Sequence, residues 1–378
     1  MPNSILRTAA ALLALGSSFA TLANIPPAPQ VAARAWLLFD ASSGQLIASR
    51  NPDERVEPAS LTKLMTAYLT FAALKNKTLT LSKTVPVSER AWHAGGSRMF
   101  IQPGTPVTVE ELLHGLIVQS GNDACIALAE SVAGSEDAFV QLMNREAQRL
   151  GMKDTHFANS TGLPDPAHYS TANDLILLAV ALIHDFPQYY KYYSERQYRY
   201  NEITQQNRNR LLWLDPNVDG LKTGHTEGAG YCLIASAKRG TRRLLSVVLG
   251  APTDRLRAQE SQKLLNFGFQ AYDGVRLYQK GQAISTLQVW KGTQPGLEAG
   301  VAEDLFVTVP KGALDALHAE LVSQQPLVAP LAAGQRVATL RVSLEGRPIG
   351  EYPVVALQDV AAAGVFRRAW DSVRLWLR

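Results

Sequence analysis

The chain of 378 residues has two cysteines, which excludes a disulfide-stapled scaffold and a four-cysteine zinc site. Charge of one sign is equally scarce. Lys and Arg number 37 against 33 Asp and Glu, a formal net charge of +4. So small an excess gives no general case for nucleic-acid binding. No GxxxxGK[ST] and no HExxH occurs, so no phosphate-cradling loop, zinc-peptidase helix, metal or cofactor is expected. No apolar run reaches the roughly 20 residues that a spanning helix needs, and there is no internal repeat or low-complexity tract. What is present is 46% hydrophobic and 19% charged residues, the composition of a folded globular protein. At about 150 residues per domain, the length predicts two to three domains.

Both ends read as addresses. Arg7 precedes an apolar run over 9–15, and small residues follow up to Ala23. This layout predicts a cleaved signal peptide over 1–23. Residues 24–31, with Pro26, Pro27 and Pro29, read as an extended leader. At the other end Phe366, Trp370, Val373 and Leu377 fall on one helical face, beside Arg367, Asp371, Arg374 and Arg378. A short helix over 361–378, aromatic on one side and Arg-rich on the other, suits the plane of a lipid interface. The competing reading is a helix docked on the protein's own core.

Residues 32–272 mix both periodicities. Strands are expected at 36–40, 46–48, 231–237 and 244–249, and helices over 61–74, 110–118, 123–132, 137–150 and 173–184. Strands near both ends of the segment, with helices between, imply one sheet closed by both ends: an α+β architecture. Residues 273–360 are β-rich. Strands are expected at 283–290, 305–309 and 338–344, and Glu345-Gly346 turns into another over 349–355.

Three short motifs fit one site. The 61–74 helix is apolar on nearly every side except for Lys63, so burial should lower that lysine's pKa. Ser60 lies three residues earlier, just inside the helix start, and shares its face. A hydroxyl beside a neutral amine is a nucleophile beside its base. Alone the pattern is weak, since about one such match arises by chance in a chain this long. Ser120-Gly121-Asn122 interrupts two helical patterns and offers a hydroxyl and an amide; the plain alternative is a connector. Lys222-Thr223-Gly224 enters an expected edge strand. There Lys222 and Thr223 suit a carboxylate, and Gly224 leaves room for close approach of a ligand. The plain alternative is an ordinary turn.

In this order and spacing the motifs resemble the Ser-x-x-Lys, Ser-x-Asn, Lys-Thr-Gly set of penicillin-recognising serine enzymes. The surrounding residues 57–66, 120–124, 205–209 and 218–226 are similar to the D-alanyl-D-alanine carboxypeptidases, the low-molecular-mass penicillin-binding proteins. The whole plan is similar to the penicillin-binding protein 5 subfamily. That resemblance implies a β-lactamase/transpeptidase-like catalytic domain, an antiparallel sheet with helices on both faces, then a small all-β domain and an amphipathic tail. It implies that Ser60 attacks the carbonyl between two terminal D-alanines and that Lys63 takes its proton. Ser120 would relay a proton to the leaving amine, with Lys222 shaping the field. Asn122 would hold the substrate amide, and the N–H groups of Ser60 and His225 would form the oxyanion hole. Thr223 would bind the terminal carboxylate, with Arg257, and more weakly Arg208, as arginine partners. The implied partners are the peptidoglycan stem peptide, β-lactams and a membrane surface, on the periplasmic side of a bacterial inner membrane. Cys125 and Cys232 read as buried free thiols. His168 and Asp174 lie in a segment expected at the edge of the cleft, with no role assigned.

Three rivals share these residues. A β-lactamase is disfavoured because residues 151–175 hold no glutamate to serve deacylation and Gly121 stands where such enzymes have Asp. A D,D-endopeptidase would use the same motifs. A non-catalytic penicillin sensor or wall-binding protein would tolerate loss of Lys63 or Ser120, yet both are present.

Overall fold

The computed structural model describes residues 27–377. The expected signal peptide over 1–23 lies outside the described residues, as do leader residues 24–26 and Arg378. Strand β1 (Ala35–Asp40) turns through Ser42-Ser43-Gly44 into β2 (Gln45–Arg50). A 3₁₀ turn (Ala59–Thr62) leads into helix α1 (Lys63–Lys75). Helix α2 (Val109–His114) continues as a π turn (Gly115–Gln119), and α3 (Asn122–Ala133), α4 (Glu136–Arg149) and α5 (Ala172–Asp185) follow. The hairpin β3 (Gln197–Tyr200) and β4 (Ile203–Gln206) precedes β5 (Val218–Thr226), β6 (Gly230–Arg239) and β7 (Arg242–Ala251). The long helix α6 (Asp254–Ala271) ends this unit.

The antiparallel sheet has the order β2-β1-β7-β6-β5, closed by both ends of the unit and leaving β5 at an edge. Both faces are covered. Leu37, Val247 and Leu249 face the core built with α1, α3 and α5, whereas Trp36, Leu38, Leu244 and Val248 face the core shared with α6. That double coverage is why β6 and β7 read as continuous apolar runs and not as alternating strands.

The second unit is all β except for its last helix. β8 (Tyr272–Tyr278), β9 (Ala283–Trp290), β10 (Gly296–Gly300), β11 (Leu305–Pro310), β12 (Leu317–Ser323), β13 (Leu327–Val328), β14 (Arg336–Leu344) and β15 (Arg347–Ala356) follow in turn. β8 pairs with β11, and the other strands form a sheet of order β12-β14-β15-β10-β9-β13. Glu345 and Gly346, both at positive φ, make the tight turn between β14 and β15. The units meet at buried Asp40, whose Oδ2 accepts from Arg242 Nε at 2.7 Å and from Thr308 Oγ1 of β11 at 2.8 Å.

Helix α7 (Val365–Trp376) packs through its polar face. Asp371 is buried and accepts the Lys291 N–H at 2.7 Å, and the Arg374 guanidinium lies 5.4 Å from the centre of the Trp290 ring. Phe366, Trp370 and Trp376 point outward. Three of the elements differ from the sequence expectation. Helix α6 and the β3–β4 hairpin were not expected at all. The 61–74 helix starts at Lys63, so Ser60 sits in a 3₁₀ turn and not inside the α-helix. Ala59, at φ +47°, keeps any helix from extending back beyond Ser60, because the left-handed region costs a Cβ-bearing residue about 1–2 kcal/mol and cannot continue a helix.

Candidate active site

Residues i and i+3 eclipse in a 3₁₀ turn, and the turn at 59–62 sets Lys63 Nζ 3.1 Å from Ser60 Oγ. Lys63 is fully buried, and its Nζ also donates to the Thr161 carbonyl at 2.6 Å. Neither partner is a carboxylate. Burial therefore dominates and lowers the Lys63 pKa to about 8.

The opposite wall comes from the π turn. It ends at Ser120, held at φ +62°, which aims the hydroxyl across the cleft. Ser120 Oγ accepts from Lys222 Nζ at 2.9 Å. Lys222 is buried on β5, and its pKa is pushed well down, first by burial and then by the nearby Lys63 charge. Asn122 opens α3 and donates Nδ2 to the Gly95 carbonyl at 2.6 Å. The neighbouring Asp123 carboxylate accepts the N–H groups of Met99, Phe100, Ile101 and Ala124, which fixes the segment next to Gly96 and Ser97.

Ser60, Ser120, Asn122, Thr223, Gly224, His225, Arg208 and Arg257 all line one open cleft of about 1110 Å³. Lys63 and Lys222 lie beneath it. Gly224 also serves the fold itself. A Cβ there would lie 3.1 Å from the Pro58 carbonyl oxygen and 3.3 Å from Ser60 N. The side-chain position at this glycine is thus filled by the 59–62 turn, which packs directly on the edge strand. The His225 ring is exposed and rests on Tyr231, with centroids 4.0 Å apart.

The two arginines differ. Arg257, on α6, is buried; it donates Nη1 to the Gly224 carbonyl at 3.2 Å and pairs with Asp254. Asp254 also holds Arg210 Nε at 2.6 Å. Arg208 is exposed and forms no ion pair among the described residues. Cys125 and Cys232 are free and buried.

Sequence reasoning left the segment behind Ser60 without a role. Asn159 Oδ1 accepts from Thr161 N and Gly162 N, turning residues 159–162 tightly. Gly162 is obligatory, since a Cβ would fall 1.8 Å from the Ala59 carbonyl oxygen. His168 is buried there. Its Nδ1 accepts from Ala158 N at 3.2 Å, so Nε2 carries the hydrogen and donates to Thr62 Oγ1 at 2.8 Å. Burial holds the His168 pKa down at about 4. Asp174 accepts from Asp154 N and Thr155 Oγ1 and does not line the cleft. The Asn159 turn is local and its Asn-Ser-Thr-Gly sequence suits it, whereas the His168 and Asp174 contacts join residues brought together by folding and have no sequence signal.

The family model for D-alanyl-D-alanine carboxypeptidases matches residues 22–253. The chain belongs to the D-alanyl-D-alanine carboxypeptidase family. The model for the C-terminal domain of penicillin-binding protein 5 matches residues 272–362. The chain is 46% identical to D-alanyl-D-alanine carboxypeptidase DacC of Escherichia coli K12, over 92% of this chain and 89% of that protein. It is 38% identical to DacF of Bacillus subtilis, over 88% and 87%. Among solved structures, penicillin-binding protein 5 of Haemophilus influenzae superposes with a TM-score of 0.85 at 40% identity, covering 89% of this chain and 99% of that one. Penicillin-binding protein D2 of Listeria monocytogenes, solved in an ampicillin-bound form, superposes at 0.60 and 31% identity over 65% of this chain and 100% of that one. This carboxypeptidase-family chain is therefore a serine peptidase with a catalytic unit and an all-β unit.

Proposed function

We propose that the chain removes the terminal D-alanine from peptidoglycan stem pentapeptides through an acyl-enzyme on Ser60. One observation carries the reading: two Ser–Lys pairs with buried lysines, at 3.1 and 2.9 Å, present their hydroxyls to the same cleft. Ser60 Oγ bonds to the carbonyl carbon of the penultimate D-alanine as its proton passes to neutral Lys63. The carbonyl–nitrogen bond then breaks, and Ser120, backed by Lys222, protonates the departing amine. Water hydrolyses the ester and restores Ser60. The backbone N–H groups of Ser60 and His225 take the developing oxyanion. Asn122 holds the substrate amide, and Thr223 takes the terminal carboxylate. Arg257, which lines the cleft and also holds the Gly224 carbonyl and Asp254, is the stronger arginine partner for that carboxylate and Arg208 the weaker. β-Lactams acylate the same Ser60, a reading supported by the ampicillin-bound relative.

The proposed division is a signal peptide over 1–23, a leader over 24–31, a catalytic domain over 32–272, a β domain over 273–360 and a membrane-surface helix over 361–378. The outward apolar face of α7 supports attachment to the periplasmic side of the inner membrane. Among the described residues no helix is long and apolar enough to cross a membrane. The test is the mass of the products from a stem pentapeptide ending in D-Ala-D-Ala. Loss of one alanine with wild type and none with Ser60→Ala is expected. An inert wild type that still binds penicillin covalently would replace hydrolysis with sensing, or with cleavage of cross-linked peptides alone.

A further inference from the structure

Lys63 Nζ has two hydrogen-bond partners, Ser60 Oγ and the Thr161 carbonyl. The second is a backbone atom, so its position depends on what holds residues 158–163. That segment belongs to no helix or strand. Asn159 turns it from within, and its anchor to the surrounding helices is Ser160. Ser160 is fully buried and gives both its N–H and its hydroxyl to one oxygen of Glu136, at 3.0 and 2.6 Å. Its carbonyl accepts from Thr66 Oγ1 at 2.7 Å, and Thr66 lies one turn beyond Lys63 on α1.

Glu136 is an unusual anchor. It is the first residue of α4, where an acidic side chain ordinarily sits in water near the helix N-terminus. The cap is already supplied by Ser135, which accepts from Ala138 N. Yet Glu136 is only 4% exposed, and a buried carboxylate is costly unless its oxygens are matched. Both are matched: Oε1 by Ser160 and Oε2 by Arg90 at 2.6 Å. The carboxylate thus reaches inward to a loop instead of serving its own helix.

We propose that Glu136 is a positioning residue for acylation: through Ser160 it sets the Thr161 carbonyl that aims Lys63 at Ser60. The inference rests on the reading of Lys63 as the base. Its chain of contacts runs Glu136, Ser160, Thr161, Lys63, Ser60, and only the last two touch the reacting atoms. Geometry and not charge is what Glu136 supplies, so an amide of the same shape should serve nearly as well.

The test follows acylation of the full chain by a chromogenic cephalosporin over the pH range that spans Lys63's titration, with a melting curve for each variant. Glu136→Ala should lower the plateau rate at least about tenfold, read as lost transition-state stabilisation. Its acid limb should also move below the wild-type position, because the ammonium form has lost a carbonyl partner. Glu136→Gln, whose amide oxygen still accepts from Ser160, should stay within about threefold. Ser160→Ala keeps the N–H bond and should fall between the two; it carries the test if Glu136→Ala does not fold. A Glu136→Ala rate within about twofold of wild type overturns the proposal. So does a Glu136→Gln rate as low as that of Ala, or a lowered plateau with an unmoved acid limb. Lys63→Ala separates the two readings. If it acylates as fast as wild type, the base assignment fails. If it is inert while Glu136→Ala is not impaired, only the role of Glu136 fails.

Discussion

In the cleft, two lysines are buried with hydroxyl and carbonyl partners and no carboxylate, while on α7 Phe366 is 94% exposed and Asp371 is buried. Each region inverts the usual placement of polar and apolar groups, but for different reasons. The cleft buries its two lysines because each finds hydroxyl and carbonyl partners inside the same unit, and the remaining desolvation cost appears as lowered lysine pKa values. The terminal helix turns its apolar face outward because its polar face is the one that docks. Asp371 meets a backbone N–H of the β unit, so the aromatic side chains are left pointing away from the protein. Buried lysines and an exposed apolar face are therefore told apart by what their neighbours already use.

The largest effect should come from removing a cleft lysine. Lys63→Ala leaves Ser60 without a base and should slow acylation about 10³-fold. In the wild type the Lys63 pKa is depressed from 10.5 to about 8. The neutral form, able to accept the Ser60 proton, is thus the minority below that pH and the majority above it. Acylation should rise with pH through about 8 and then flatten, as stopped-flow absorbance with a chromogenic cephalosporin would show. A rate that is flat across that value would mean that Lys63 does not take the proton.

His168 offers a middle-sized effect in the same region. Its pKa falls from 6.5 to about 4, chiefly through burial, against an opposing Asp165 charge and with help from His156 and Lys63. A buried neutral histidine binds protons less readily than its unfolded counterpart, so stability rises with pH between about 4 and 6.5. The stabilisation is present above 6.5 and lost on acidification, and the full shift corresponds to about 3 kcal/mol. Protonation would also take Nδ1 from the Ala158 N–H. Hydrogen exchange over 158–170 should therefore accelerate as pH falls through this window, after correction for the intrinsic rate. In His168→Gln that dependence should flatten.

These effects also show where sequence was informative. Ser60 and Lys63 are three residues apart, so their meeting was a local matter and was legible. The strands β6 and β7 were legible as apolar runs, since both their faces are covered. Helix α6 was not, because Arg257 and Glu260 are buried among Ala258, Leu264 and Leu265, and two charges on the inward face erase the apolar stripe. The β3–β4 hairpin was hidden by its exposed, polar strands. Glu136 and Ser160 are 24 residues apart in sequence. Glu136 looks like an ordinary helix-starting acid, and only the folded chain reveals that it faces inward.

The smallest effect belongs to the terminal helix, and it sharpens the contrast with the cleft. Removing a carboxylate that accepts one backbone N–H costs about 1–3 kcal/mol. Asp371→Ala should therefore loosen α7 from the β unit, seen as faster amide exchange in 365–376 and at Lys291. The catalytic unit is untouched, so acylation should stay at the wild-type rate. The apolar face carried by Phe366, Trp370 and Trp376 is also intact, so recovery with membranes should persist. Replacing Phe366 and Trp370 by serine should do the reverse: the Asp371 contact survives, exchange stays slow, and membrane recovery falls. If Asp371→Ala instead released the protein from membranes, docking on the β unit would be what presents the apolar face, and the two faces of α7 would act as one device.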